Sequence, residues 1–137
     1  MERVRVLLIT HDRILAHAYR VRLTRAGFDV EHCRTAPEGL VKSEAWPPSI
    51  ILLDLTLPGV HGLEALKLFR DMPSLVQVRV VLLIERTLSP ELLDECLLWS
   101  GGTYLHKDVC SLQELVAHLR LIAHLAPSPA TTPTPSA

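Results

Sequence analysis

A doubly wound α/β fold around a five-stranded parallel sheet is what this sequence predicts, and three observations predict it. Five short apolar runs alternate with five stretches of helical periodicity. The runs at residues 4–9, 50–53 and 80–84 are apolar at nearly every position, as in strands buried on both faces. The third run leads straight into one carboxylate, Asp54, before Pro58-Gly59 stops the strand and turns the chain. At 137 residues the chain supports one domain with a sizeable core.

The elements follow in order. Residues 4–9, broken only by Arg5, form the first strand. Thr10-His11-Asp12 leads into a helix over 13–26, with Asp12 as N-cap and Gly27 as its stop. Leu15, Ala18, Tyr19, Leu23 and Ala26 recur at helical spacing and are expected to face the core. Residues 28–33 alternate apolar and polar side chains, which suits a strand nearer the sheet edge. Thr35 with Glu38 is a capping box for the second helix, which Trp46-Pro47-Pro48 ends.

After the Asp54 strand, a third helix covers about 62–70 and stops around 71–73. The fourth strand, 80–84, ends at Glu85. Ser89 as cap and Pro90 at the first helical position open the fourth helix, which runs to about residue 99 and closes at Gly101-Gly102. Residues 103–106 are a short fifth strand with Lys107 at its end. Ser111 and Glu114 cap a last helix whose stripe is Leu112, Leu115, Val116, Leu119 and Ile122. The domain is expected to span 1–125. The Pro/Ser/Thr-rich residues 126–137 cannot bury enough apolar surface to order themselves and are expected to be a disordered tail.

Short connections and right-handed crossovers favour the flavodoxin-like strand order 2-1-3-4-5. That order brings the ends of strands one, three, four and five to one crevice. Those ends carry Thr10-His11, Asp54, Glu85 and Lys107. On its own stretch, Asp54 reads equally as a ligand-facing carboxylate or as a loop cap.

Composition narrows the function classes. The chain is 48% hydrophobic and 21% charged with a formal net charge of −1, so no global attraction draws it to nucleic acid or an anionic membrane. Arginines gather in the first quarter, where a solvated helix face is the ordinary explanation. The first apolar run is too short for a signal peptide or a span, and Cys33, Cys96 and Cys110 lack metal-ligand spacing, so a cytoplasmic protein with reduced thiols is expected. His11, His61 and His106 sit on loops near the crevice, but without the close spacing of a transition-metal site. No glycine-rich loop follows the first strand to cradle a flavin or nucleotide, which counts against an enzyme on this scaffold. No helix-turn-helix segment follows the last helix, so direct transcription control is not expected.

Residues 52–59 (Leu-Leu-Asp-Leu-Thr-Leu-Pro-Gly), Gly62-Leu63-Glu64 and Tyr104-Leu105-His106-Lys107 together resemble the receiver domain of bacterial response regulators (CheY-like), over about residues 3–125. The resemblance implies Asp54 as phosphoacceptor, Lys107 as the contact to phosphoryl oxygens and Tyr104 as a switch residue. It also implies partners: a histidine kinase or a downstream effector.

Three family features are absent. The acidic pair that helps hold Mg²⁺ is Thr10-His11 here, and Asp12 is explained as a helix cap. The strand-four serine or threonine falls at Glu85 without a gap, or Ile84 with one. Asp108, not proline, follows Lys107, so that peptide is expected to be trans. These losses point to a pseudo-receiver: a protein-interaction module without cofactor, its pocket charge-balanced by Lys107 against Asp54 and Glu85. The alternative is a single-domain regulator still phosphorylated on Asp54, with Mg²⁺ as cofactor. The fourth helix is unusually apolar, so some of Leu92, Leu93 and Leu98 are expected at a partner or homodimer face shared with the fifth strand and last helix.

Overall fold

The computed structural model describes residues 3–56, 62–101 and 103–124. Among these, the chain runs β1 (Arg5–Ile9), α1 (Arg13–Arg25), β2 (Asp29–Cys33), α2 (Ala36–Ala45), β3 (Ile50–Asp54) and α3 (Gly62–Arg70). A 3₁₀ turn (Pro73–Leu75), β4 (Arg79–Ile84), α4 (Pro90–Ser100), β5 (Tyr104–His106) and α5 (Leu112–His124) complete it. All strand pairs are parallel, and the order is β2-β1-β3-β4-β5, as expected. The expected tail at 126–137 lies outside the described residues, as do Pro58-Gly59 and His61.

Side chains alternate across each strand, so a strand apolar at every position feeds two cores. Val6, Leu8, Ile50, Leu52, Val81 and Leu83 join Tyr19 and Leu23 of α1 and Leu115 and Leu119 of α5 on one face. Leu7, Ile9, Ile51, Leu53, Leu82 and Ile84 join Ala36 of α2, Leu66 and Phe69 of α3 and Cys96 of α4 on the other. The three central strands are therefore sandwiched, which is why their sequences carry no polar alternation.

The helix ends follow local chemistry. Asp12 accepts the Ile14 and Leu15 amides at 3.0 Å each, Thr35 accepts the Glu38 amide at 3.2 Å, and Ser89 accepts that of Leu92 at 3.2 Å. Glu38 reaches back to the amide of Arg34 at 3.1 Å, one residue before the cap, which loosens the expected box. Gly101 ends α4 at φ +94, a left-handed conformation that residues with a Cβ rarely adopt.

The facing of two helices is sharper in the structure than in the sequence. The buried stripe of α1 is Ala16, Tyr19 and Leu23, spaced three and four apart. Leu15 and Ala26 flank that stripe, partly buried and packed against the first core as expected, and Ala18 is half-buried. On α4, Leu93 packs partly into the second core, while Leu92 and Leu98 are 38% and 62% exposed.

Nothing in the sequence marks Arg70 as an interior residue. It ends α3 at 4% exposure. Its guanidinium donates to the carbonyls of Trp99 (2.8 Å), Leu75 (2.9 Å), Val78 (2.9 Å) and Ser100 (3.2 Å). One planar fork thus ties the ends of α3 and α4 to the turn that enters β4. Arg70→Met should destabilise the domain by about 3 kcal/mol, because buried carbonyls lose their donors. Arg70→Lys should recover only part of that, since a lysine ammonium cannot reproduce the fork. Urea denaturation of the two variants and wild type checks this; equal midpoints for Met and wild type would show the clamp to be idle.

Candidate functional site

Parallel strands all end on one sheet edge, and β1, β3 and β5 deliver Thr10, Asp54 and Lys107 there. Asp54 closes β3 and is fully buried. The ladder continues past it, with the Leu55 amide on the Leu83 carbonyl at 3.0 Å, which fixes where the carboxylate starts. Thr10, also fully buried, is held by its own amide on the Cys33 carbonyl at 3.1 Å. The Lys107 amide bonds the Ile84 carbonyl at 2.9 Å, so the lysine is set by the β4–β5 ladder.

The side chains close on one another. The Lys107 ammonium lies 3.1 Å from Oδ1 and 3.0 Å from Oδ2 of Asp54, bridging both oxygens. Oδ1 also accepts the Thr56 amide at 2.9 Å and the Thr56 hydroxyl at 2.6 Å. Oδ2 also accepts the Thr10 hydroxyl at 2.7 Å. The ammonium further donates to the Thr56 hydroxyl at 2.8 Å and sits 3.5 Å from a Glu85 carboxylate oxygen. The lysine side chain is 10% exposed, whereas that of Glu85 is 46% exposed. Burial by itself raises the Asp54 pKa. The Thr56 hydroxyl and amide, the Thr10 hydroxyl and Lys107 outweigh it, so the carboxyl is held below its ordinary value.

The expected residues therefore divide. Asp54, Lys107 and Thr10 meet; Glu85 reaches Lys107 from the solvent side. His11 is exposed and has no hydrogen bond or ion pair among the described residues. Asp12 is committed to the α1 cap, with its amide on the Thr10 hydroxyl at 3.2 Å. Tyr104 is 38% exposed, its ring set edge-on to His106 at 5.6 Å. The Lys107–Asp108 peptide is trans, as expected.

Thr56 is the functional residue that sequence reasoning missed. Its signal was present: a hydroxyl two residues after a strand-end aspartate, the spacing at which Asp accepts a backbone amide in an Asx turn. Strand four supplies no hydroxyl, because Ile84 and Glu85 stand at its end, Ile84 buried in the core. Thr10 and Thr56 instead bring hydroxyls to the carboxylate from strand one and the loop after strand three.

A Mg²⁺ ion, which the family implies, needs several oxygen ligands with free lone pairs, anionic ones above all. The donor set does not fit it. Oδ1 of Asp54 already accepts three hydrogen bonds and Oδ2 two, and the cation beside them is the lysine ammonium. Among the described residues no three His, Cys, Asp or Glu side chains cluster with metal-binding geometry. Of the histidines considered as metal ligands, His61 lies outside those residues.

Comparison with known proteins matches this geometry to one family. The model of the response regulator receiver domain matches residues 6–120. The transcriptional regulatory protein TrcR of Mycobacterium tuberculosis is 33% identical over 118 residues, covering 85% of this chain and 44% of that protein. The response regulator GacA of Pseudomonas protegens is 30% identical over 122 residues, covering 87% of this chain and 55% of the relative. The chain thus spans about half the length of these relatives or less. In fold it resembles the chemotaxis response regulator CheY4 of Vibrio cholerae, with a TM-score of 0.80 at 22% identity over 88% of this chain and 99% of that one. From the matched model and the strand-end chemistry together, the chain belongs to the response regulator receiver domain family.

Proposed function

We propose that this receiver domain is a cytoplasmic protein-interaction module of bacterial two-component signalling, working without Mg²⁺-dependent phosphorylation and not as an enzyme. One observation carries the reading: Lys107 bridges both oxygens of Asp54 in a cage that two threonine hydroxyls complete. Phosphoryl transfer to an aspartate rests on positioning and on neutralising charge at the transferring group. Here the cation is already engaged by Asp54 and, on its outer side, by Glu85. Two unit charges ~4 Å apart interact by roughly 4 kcal/mol at an effective dielectric near 20, so drawing the ammonium off Asp54 would offset that much of what an incoming donor gains. The partners in view are a histidine kinase or a downstream effector.

A second reading, a phosphorylatable regulator with Asp54 as acceptor and Lys107 on the phosphoryl oxygens, is favoured by one observation. The acceptor is held ionised beside a cation and two hydroxyls, groups that would serve a bound phosphoryl group equally well.

The partner face needs redrawing. Leu92 and Leu98 are six residues apart, which sets them about 120° from each other around the helix. Trp99, whose ring takes Lys67 of α3 at 5.5 Å, marks the side on which Leu92 lies; Leu98 is on the other. The three leucines therefore do not make one patch. Leu98, with Tyr104 of β5 and Leu121 of α5 also exposed, is the member suited to a partner or homodimer contact.

Three outcomes test these statements. Incubation with acetyl phosphate and Mg²⁺ should give no phosphoryl adduct by intact mass, whereas Thr10→Asp with His11→Asp should confer measurable Mg²⁺ binding. A wild-type adduct, labile to hydroxylamine and lost in Asp54→Asn, would establish the second reading instead. Lys107→Met should cost about 3 kcal/mol at pH 7, the loss expected when one partner of a buried ion pair is removed. The folded-state pKa of Asp54 is depressed, so its contribution is present above the unfolded value of about 3.9 and fades as pH falls through the lower folded value. The Lys107→Met deficit should shrink over that same acid range; a deficit constant with pH would mean that the ion pair is not its source. Leu98→Glu should leave stability within about 0.5 kcal/mol while weakening self-association or kinase binding, whereas Leu93→Glu should unfold part of the second core. Sedimentation and a kinase pull-down, each paired with a melting curve, separate the two.

A further inference from the structure

We propose that the cleft between α1 and the end of β2 is an anion site for a compact ligand carrying two or more phosphate groups. Arg13, His17 and Arg20 stand at i, i+4 and i+7 on α1 and form one stripe. Across from them stand His32 of β2 and Arg34 just beyond it, and Ala16 lies between. These six residues line a cleft of about 300 Å³, the lower end of the range for small-ligand sites.

The charge is local and unanswered. The chain's net charge is −1, yet α1 carries four arginines and no acid. Among the described residues none of Arg13, Arg20 and Arg34 forms an ion pair. The acids nearby in sequence are engaged elsewhere: Asp12 in the α1 cap, Glu31 with Lys42 at 3.4 Å, and Glu38 on the Arg34 amide. Like charges brought to one concavity repel, and a phosphate-bearing ligand relieves that repulsion while matching the guanidinium fork with paired oxygens. A merely solvated helix face lacks the opposing wall that His32 and Arg34 supply here.

His32 gives the cleft a fixed wall and a link to the site already described. Its Nε2 lies 2.8 Å from the Thr10 carbonyl, which can only accept, so Nε2 donates there and the ring is held in place, leaving the phosphate oxygens to the arginine guanidiniums. Thr10 is the residue whose hydroxyl holds Asp54 Oδ2. A ligand on His32 is therefore one residue away from the Asp54 cage. The other flank of α1 offers a comparison. Arg22, Arg25 and Arg120 line a wider opening of about 490 Å³ that has no histidine, and Arg120 leans on the Ala26 carbonyl at 3.5 Å.

The experiment titrates the full chain with inorganic pyrophosphate in Mg²⁺-free buffer, by calorimetry and by amide NMR. Saturable one-to-one binding is expected, with shifts at Arg13, Arg20, His32, Arg34 and Thr10. Arg20→Gln with Arg34→Gln should weaken it by about tenfold or more, equivalent to about 1.4 kcal/mol. Arg22→Gln with Arg25→Gln removes the same charge from the other flank and should leave binding unchanged. All four arginines are exposed, so melting temperatures should stay level, and that is measured alongside. The proposal is overturned by absence of saturation, by equal weakening in both double variants, or by loss only in the Arg22 and Arg25 variant. Binding of a polyglutamate peptide without binding of pyrophosphate would assign the cleft to a protein partner and overturn it as well.

Discussion

The contact between the Lys107 ammonium and the two oxygens of Asp54 organises the functional edge of this molecule. Both groups are nearly or wholly buried, and a buried charge is tolerable only when paired and hydrogen-bonded. Each side meets that condition through neighbours that the strand ends supply. The carboxylate takes hydroxyls from Thr10 and Thr56, and the ammonium takes Thr56 and, towards solvent, Glu85. Thr56 is the joint between them, donating to one and accepting from the other. Remove any member and another is left with an unmet demand. The set is best understood as a unit rather than as an acceptor with accessories.

That unit depends on the sandwich beneath it. The carboxylate position is fixed because β3 is hydrogen-bonded on both sides, to β1 and to β4, and buried on both faces. A slip of one residue in β3 would exchange isoleucines and leucines between the two cores and carry the Asp54 carboxylate out of its place at the strand end. The register that protects hydrophobic burial therefore also protects the geometry of the site. In this sense, the apolar runs and the single aspartate that ends one of them are parts of one specification.

How much of this was legible in the sequence follows from what kinds of information a sequence carries locally. Strand order, the caps at Asp12 and Ser89 and the stop at Gly101 were readable because each depends on short-range chemistry and on periodicity. The meeting of Asp54 with Lys107 was readable because parallel strands bring their ends to one edge. Thr56 was passed over although its two-residue spacing from Asp54 was in view, because the second half of its role, accepting from Lys107, joins residues 51 apart. Arg70 was unreadable for a similar reason: its partners are backbone carbonyls, which carry no residue identity. That some of Leu92, Leu93 and Leu98 are exposed was legible, but which of them share a flank was not. Composition shows that a helix has surplus apolar residues, but not that they are split between its two flanks.

The Arg70 clamp gives the domain two ends with different sensitivities. At the Asp54 edge, cohesion relies on a carboxylate and so on the proton concentration outside. At the opposite end, where α3 and α4 finish and β4 begins, a guanidinium holds only peptide oxygens, which do not titrate. Acid would thus undo the upper latch while leaving the lower hinge fastened. Opening would proceed like a book held at its spine, with the strand ends parting first and the α3–α4 pair remaining attached to the sheet.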